Sequence, residues 1–236
     1  MALPTINTPK YQLKLPSTGE AITYRPFLVK EEKILLIAQE TKDPKQMMMA
    51  MRDIISACTF EKVKTTEITG FDLEYIFLKL RAKSVGENAD IKIQCTHCEE
   101  FNDISINLDD ISVVVPDKSN NVIMLTDSIG VTLKYVTAEK MEKITALIDT
   151  NQMAVINELI INSIESIFDA DNVYAAADST PAELTQFIES LNRKQMEKIE
   201  AFIANAPKLQ HTCEFTCCKC ELENSINLQG IQSFFE

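Results

Sequence analysis

The sequence predicts an α+β chain that is internally duplicated: β-hairpin, helices and a cysteine-bearing hairpin, twice over, in a pseudo-twofold arrangement. Three observations predict it. The stretches QCTHCEEFNDISINL (94–108) and TCCKCELENSINL (216–228) each carry Cys-x-x-Cys shortly before the letters Ser-Ile-Asn-Leu. Apolar and polar residues alternate around a turn in residues 11–27 and again in 122–135, a hairpin signal near the start of each half. Between hairpin and cysteines, segments of helical character follow in the same order in both halves, with a period of about 110–125 residues. The halves are expected as residues 1–118 and 119–236, with the break at VVVPDKSNN (113–121).

In the first half, YQLKLPSTGEAITYRPF (11–27) pivots on Pro-Ser-Thr-Gly, whose residue types favour a turn. VKEEKILLIAQE (29–40) is helical in character, and Pro44 opens a second helix over 44–60, since proline is tolerated in a first helical turn. The Met47–Met49 and Met51 cluster reads as adaptable core filling. Residues 72–84 place Leu73, Ile76, Phe77 and Leu80 on one helical face. Ile91, Ile93 and Cys95 then alternate into the Cys-x-x-Cys turn, and Ile104, Ile106 and Leu108 alternate out of it.

In the second half, residues 137–148 parallel 29–40, and 152–168 parallel 44–60 as a helix. The acidic run DADNVYAAAD (169–178) lacks the glycine and terminal glutamate of a calcium loop and reads as a solvated loop. Thr180, Pro181 and Glu183 form a capping-box start for a helix over 179–191. Residues 194–207 correspond to 72–84.

The composition excludes several classes. No segment approaches the roughly 20 apolar residues of a membrane span, and the start carries no secretory h-region. Net charge is −12, divided as −3 over residues 1–119 and −9 over 120–236. Such a chain repels phosphate backbones. No glycine-rich phosphate loop and no His-Glu-x-x-His occurs, and His97 and His211 are the only histidines. No catalytic residues are assigned, and a non-enzymatic protein is expected.

Seven cysteines without a secretion signal argue for thiols and metal rather than a disulfide framework. Zinc takes four tetrahedral ligands, and Cys-x-x-Cys in a tight turn supplies two. Cys95, Cys98, Cys217 and Cys220 therefore predict one structural zinc in a zinc-ribbon-like site, with the twofold bringing the two knuckles face to face. Cys213, which shares strand parity with Cys217, Cys218 within the second turn, and His97 within the first remain alternative ligands. Cys58 lies on an apolar helix and reads as core. Four thiolates leave no open coordination position, so the zinc is structural, not catalytic.

The segments PKYQLKLPSTGEAITYRPFLVKEEKILLIAQE, FDLEYIFLKLRAKSVGE, CTHC, TPAELTQFIESLNRKQMEKIEAFIANAPKL and CCKCELENSINLQGIQSFF resemble the T4-like bacteriophage baseplate hub and hub-assembly proteins. The resemblance runs over essentially the whole chain. It implies an ending of Cys-x-x-Cys, a strand and a terminal phenylalanine pair, here Cys217, Cys220, Leu228, Gly230, Ile231, Phe234 and Phe235; the extra Cys213 and Cys218 depart from it. It also implies a virus-encoded protein that joins other phage baseplate hub or tail proteins, working in the host bacterial cytoplasm during assembly and in the tail baseplate if it stays in the virion.

Phe234 and Phe235 are candidate contact residues, because chain ends are often free unless docked. The competing reading is a zinc-ribbon regulator that binds nucleic acid. Glu99, Glu100, Asp103, Asp109 and Asp110 beside the first knuckle oppose it. A cell-wall hydrolase would need an acid pair in a cleft.

Overall fold

A computed structural model describes residues 6–41, 43–114, 121–146 and 152–234. Strands β1 (Tyr11–Lys14) and β2 (Ala21–Tyr24) pair antiparallel, with Leu13 opposite Ile22, around a turn in which Gly19 takes φ +72°. Helix α1 (Val29–Thr41) follows, then α2 (Pro44–Cys58), which starts at the predicted proline with Asp43 as N-cap. Phe60 and Glu61, both in the left-handed region, end that course.

Helix α3 (Gly70–Ser84) bears the predicted apolar face. Phe71, Leu78 and Ala82 are buried as well, so burial wraps most of the helix. Its Asp72 is fully buried. One carboxylate oxygen accepts the Ser17 N–H of the β1–β2 turn at 3.0 Å, and the other accepts the Thr69 hydroxyl of the N-cap. Asp72→Ala should lower stability by about 1–3 kcal/mol, the cost of stranding such donors, read as a lower urea midpoint with unchanged slope.

Strands β3 (Asn88–Gln94) and β4 (Phe101–Asn107) form the first cysteine hairpin, in the predicted alternation. The next segment, read from sequence as a break, contributes β5 (Ser112–Val114); residues 115–120 of that break lie outside the described residues.

β5 pairs with β10 (Lys208–Thr216), which in turn pairs with β11 (Glu223–Gln229). That ladder is why the chain divides into two compact units, residues 1–114 with 208–236, and residues 115–207. In this grouping the second cysteine hairpin lies in the same unit as the first. A 3-10 turn at Ile231–Phe234 ends the description. Gly230 enters it with φ +74°, and the Glu74 carboxylate of α3 accepts the Ile231 N–H.

The second unit holds β6 (Val122–Met124), β7 (Gly130–Leu133), α4 (Ala138–Thr145), α5 (Gln152–Ser163), β8 (Ile164–Phe168), β9 (Val173–Ala175), α6 (Pro181–Glu189) and α7 (Arg193–Ala204). Its sheet has the order β6-β7-β8-β9. Two sequence expectations are corrected here. The helix expected over 152–168 stops at Ser163, where the Ser163 carbonyl accepts the Lys134 N–H and the chain turns into the β7 ladder. The run 169–178 is a tight turn capped by Asp169, followed by β9 and a 3-10 turn, not a plain loop. The capping box at Thr180 and Glu183 is present as predicted. The core of this unit gathers Leu125, Val131, Leu133, Ile160, Ile164, Ile188 and Ile199.

Candidate metal centre

Each cysteine pair sits in the turn of a two-stranded ribbon, and the two turns are built alike. In the first, the Cys95 N–H bonds to the Glu100 carbonyl at 2.8 Å and the Glu99 N–H to the Cys95 carbonyl at 3.0 Å. In the second, Cys217 and Leu222 stand at 3.0 Å, and Glu221 and Cys217 at 3.1 Å. The residue after the second cysteine takes the left-handed conformation in both, Glu99 at φ 60° and Glu221 at φ 58°. This bend leaves backbone N–H groups aimed at sulfur: His97 N lies 3.4 Å from Cys95 Sγ, and Lys219 N lies 3.5 Å from Cys217 Sγ.

The two turns meet within the first unit. Cys95 Sγ lies 3.7 Å from Cys220 Sγ, Cys98 Sγ lies 3.6 Å from Cys217 Sγ, and all four sulfurs fall within 4.8 Å of one another. A tetrahedron with Zn–S bonds of about 2.3 Å has sulfurs about 3.8 Å apart, so the four thiols have the spacing that one ion requires. Cys95 and Cys217 are buried, while Cys98 and Cys220 are half-exposed.

Electrostatics points the same way. Burial pushes the Cys95 thiol up, but the N–H groups of His97 and Cys98 and the Asn224 side chain outweigh it and hold its pKa below the ordinary range. The N–H groups of Cys220 and Lys219 bring Cys217 down to about 6. Cys98 has the Glu100 N–H favouring its thiolate, yet burial and three neighbouring sulfurs push it up to about 12. Cys220 is raised likewise, against the Leu222 N–H. The leading cysteine of each knuckle is thus shifted toward the thiolate and the trailing one away from it. Four negative sulfurs could share this volume only with a cation among them.

The remaining predicted residues are placed as follows. Cys213 is buried on β10 opposite Ile226, outside the four-sulfur group. Cys218 and His97 are exposed in their turns and are likewise outside it. Cys58 is fully buried, with its thiol pushed up to about 11 by burial. Phe234 is fully buried, so its side chain belongs to the core of the first unit, and Phe235 lies outside the described residues. Met51 is buried and Met49 exposed; Val29, Leu36 and Ile37 of α1 are exposed apolar side chains.

Sequence reasoning missed two residues. Asn102 and Asn224 each sit four places after the second cysteine of their ribbon, both are buried, and each reaches the opposite turn. The signal was present as Cys-x-x-Cys-Glu-x-x-Asn in both copies. Ser-Ile-Asn-Leu obscured it, because that string starts seven residues after Cys98 but five after Cys220. In the ladders Ile226 takes the place of Ile104, a register two residues away from the one those letters suggest.

The fold is α+β, and its two ribbons bring four thiols within 4.8 Å of one another, a group that could hold a metal ion. The T4 bacteriophage base plate protein family matches residues 8–236, and the chain belongs to that family. Comparison with curated proteins and with solved structures found no match. Among the described residues no helix is long and apolar enough to cross a membrane.

Proposed function

We propose that this chain is a non-enzymatic baseplate hub or hub-assembly protein that acts through contacts with other hub or tail proteins and is held by one structural zinc. The observation that carries the baseplate role is the family match over residues 8–236. The zinc at Cys95, Cys98, Cys217 and Cys220 rests on the four-sulfur geometry. With all four positions taken by protein sulfur, an ion there would serve architecture, because a reacting group would find no place on it. With Phe234 buried, the contacts are expected on exposed apolar side chains and on Phe235 rather than on Phe234.

We further propose that the two halves arose by duplication. The two cysteine turns, built alike, and the order hairpin, helices, ribbon support it. Among the described residues the segment containing β8, β9 and α6 has no counterpart in the first half, which fits an elaboration of the second.

The test of the role is recovery of the tagged chain from infected cells. Co-purification with hub proteins from the host cytoplasm, together with loss of complete tails when the gene is disabled, is the expected result. Normal tails without the chain would overturn the assignment. Presence or absence in finished virions separates a resident hub component from an assembly factor.

A further inference from the structure

We propose that Asn102 and Asn224 are crossed positioning residues of the metal site, each holding and tuning the leading cysteine of the opposite knuckle. The inference rests on the reading that the four thiolates bind a divalent cation.

The two amides make matching sets of bonds. Asn102 Nδ2 donates to the Glu100 carbonyl of its own ribbon at 3.0 Å, and Asn224 Nδ2 donates to the Leu222 carbonyl at 3.0 Å. These bonds fix which way each amide faces. The oxygens then cross over. Asn102 Oδ1 accepts the Cys218 N–H at 2.8 Å, next to Cys217. Asn224 Oδ1 accepts the Thr96 N–H at 3.0 Å, next to Cys95, and the Thr96 hydroxyl at 2.9 Å. The second amide hydrogens face the opposite sulfurs as well: Asn102 Nδ2 lies 3.8 Å from Cys217 Sγ, and the Asn224 side chain favours the Cys95 thiolate.

Burying an amide is costly unless its groups are bonded, and here both amides, only 5% and 4% exposed, use oxygen and nitrogen together. The crossed oxygens set the two turns against each other before any ion arrives. The crossed N–H donors face sulfurs that would carry excess negative charge, since four thiolates around a dication sum to −2. Outer partners of this kind typically alter metal affinity 10–100-fold.

The experiment uses the full chain with Co2+ as the probe, comparing wild type with Asn102→Ala, Asn224→Ala and Asn102→Ser, each first shown by circular dichroism to be folded. Three quantities are read: Co2+ affinity, the energy of the thiolate-to-cobalt charge-transfer band, and the alkylation rate of each cysteine mapped by mass spectrometry. The alanine variants should lose about 10–100-fold in affinity and shift the band. In Asn102→Ala the first additional thiol to react should be Cys217, and in Asn224→Ala it should be Cys95. Asn102→Ser, which keeps a small acceptor for the Cys218 N–H, should recover part of the loss, and it carries the Cys217 test if the alanine variant does not fold.

A merely structural role would loosen a variant's own ribbon or all four thiols alike, and that pattern overturns the inference. So do variants with wild-type affinity and spectrum, which would leave the metal reading standing. Failure of the wild-type chain to take up Co2+ would remove the metal reading itself, and this inference with it.

Discussion

Replacing Cys95 or Cys217 with serine is expected to release the metal and lower the melting temperature by about 10 °C. The two cysteines lie on ribbons separated by more than a hundred residues of chain, yet both ribbons belong to one compact unit. An ion bound there joins the N-terminal part of that unit, residues 1–114, to its C-terminal part, residues 208–236. Metal bound only by the folded state contributes about 4 kcal/mol when present at a thousand times its dissociation constant. For a chain of this size, each kcal/mol moves the midpoint by about 2–4 °C. Serine keeps the shape but offers a poor ligand, so that contribution is what the substitution removes. Cys58→Ser and Cys218→Ser should retain the ion, because neither sulfur is in the four-sulfur group. The check is differential scanning calorimetry with metal content measured on the same samples. Equal midpoints for the Cys95→Ser and wild-type chains would show that the ribbons hold together without the ion.

Glu31→Ala should cost about 3–5 kcal/mol, the penalty for leaving a buried cation without its partner. Glu31 is only 3% exposed at the start of α1. One carboxylate oxygen meets Arg25 Nη2 at 2.9 Å and the other accepts the Leu28 N–H at 2.8 Å. Arg25 also ties in the end of α2, because its N–H donates to the Cys58 carbonyl at 3.0 Å. Hairpin, α1 and α2 thus converge on Glu31, which the exposed Lys30 also meets at 3.3 Å. Replacing both partners, as Arg25→Met with Glu31→Leu, should cost much less than Glu31→Ala, since no charge is stranded. Burial raises the Glu31 pKa, but the bonds from Arg25 and Leu28 outweigh it and hold the group below the ordinary glutamate value of 4.5. A depressed folded-state pKa gives stability that is fully present above the unfolded value and is lost as pH falls through the folded one. Urea midpoints taken downward from pH 5 should therefore fall more steeply for wild type than for Glu31→Gln. Parallel curves would remove Glu31 from the acid response.

Much of this architecture was legible because its causes are local. Thr180 and Glu183 announce a helix start through the backbone groups they satisfy, Pro44 through the N–H it lacks, and alternation at Ile91, Ile93 and Cys95 announces a strand. The clustering of four thiols was legible because two Cys-x-x-Cys pairs, each in a ribbon turn, are the pattern a shared metal site requires. What failed was non-local. IESIF extends the apolar pattern of the preceding helix, and only pairing with β7 and β9 makes it a strand. β5 is three residues long and acquires its identity from β10. The return of residues 208–236 to the first unit is a consequence of that same pairing. Asn102 and Asn224 were hidden because each acts across the two ribbons, and a shared string of letters drew the alignment two residues out of step.

The central claim is that one ion joins the two knuckles, and metal stoichiometry tests it most directly. Native mass spectrometry of the reduced, full-length chain, combined with alkylation mapping, should find one zinc per chain with Cys95, Cys98, Cys217 and Cys220 protected together and Cys218 reactive. Two zincs per chain, or none after reduction and refolding in the presence of zinc, would contradict it.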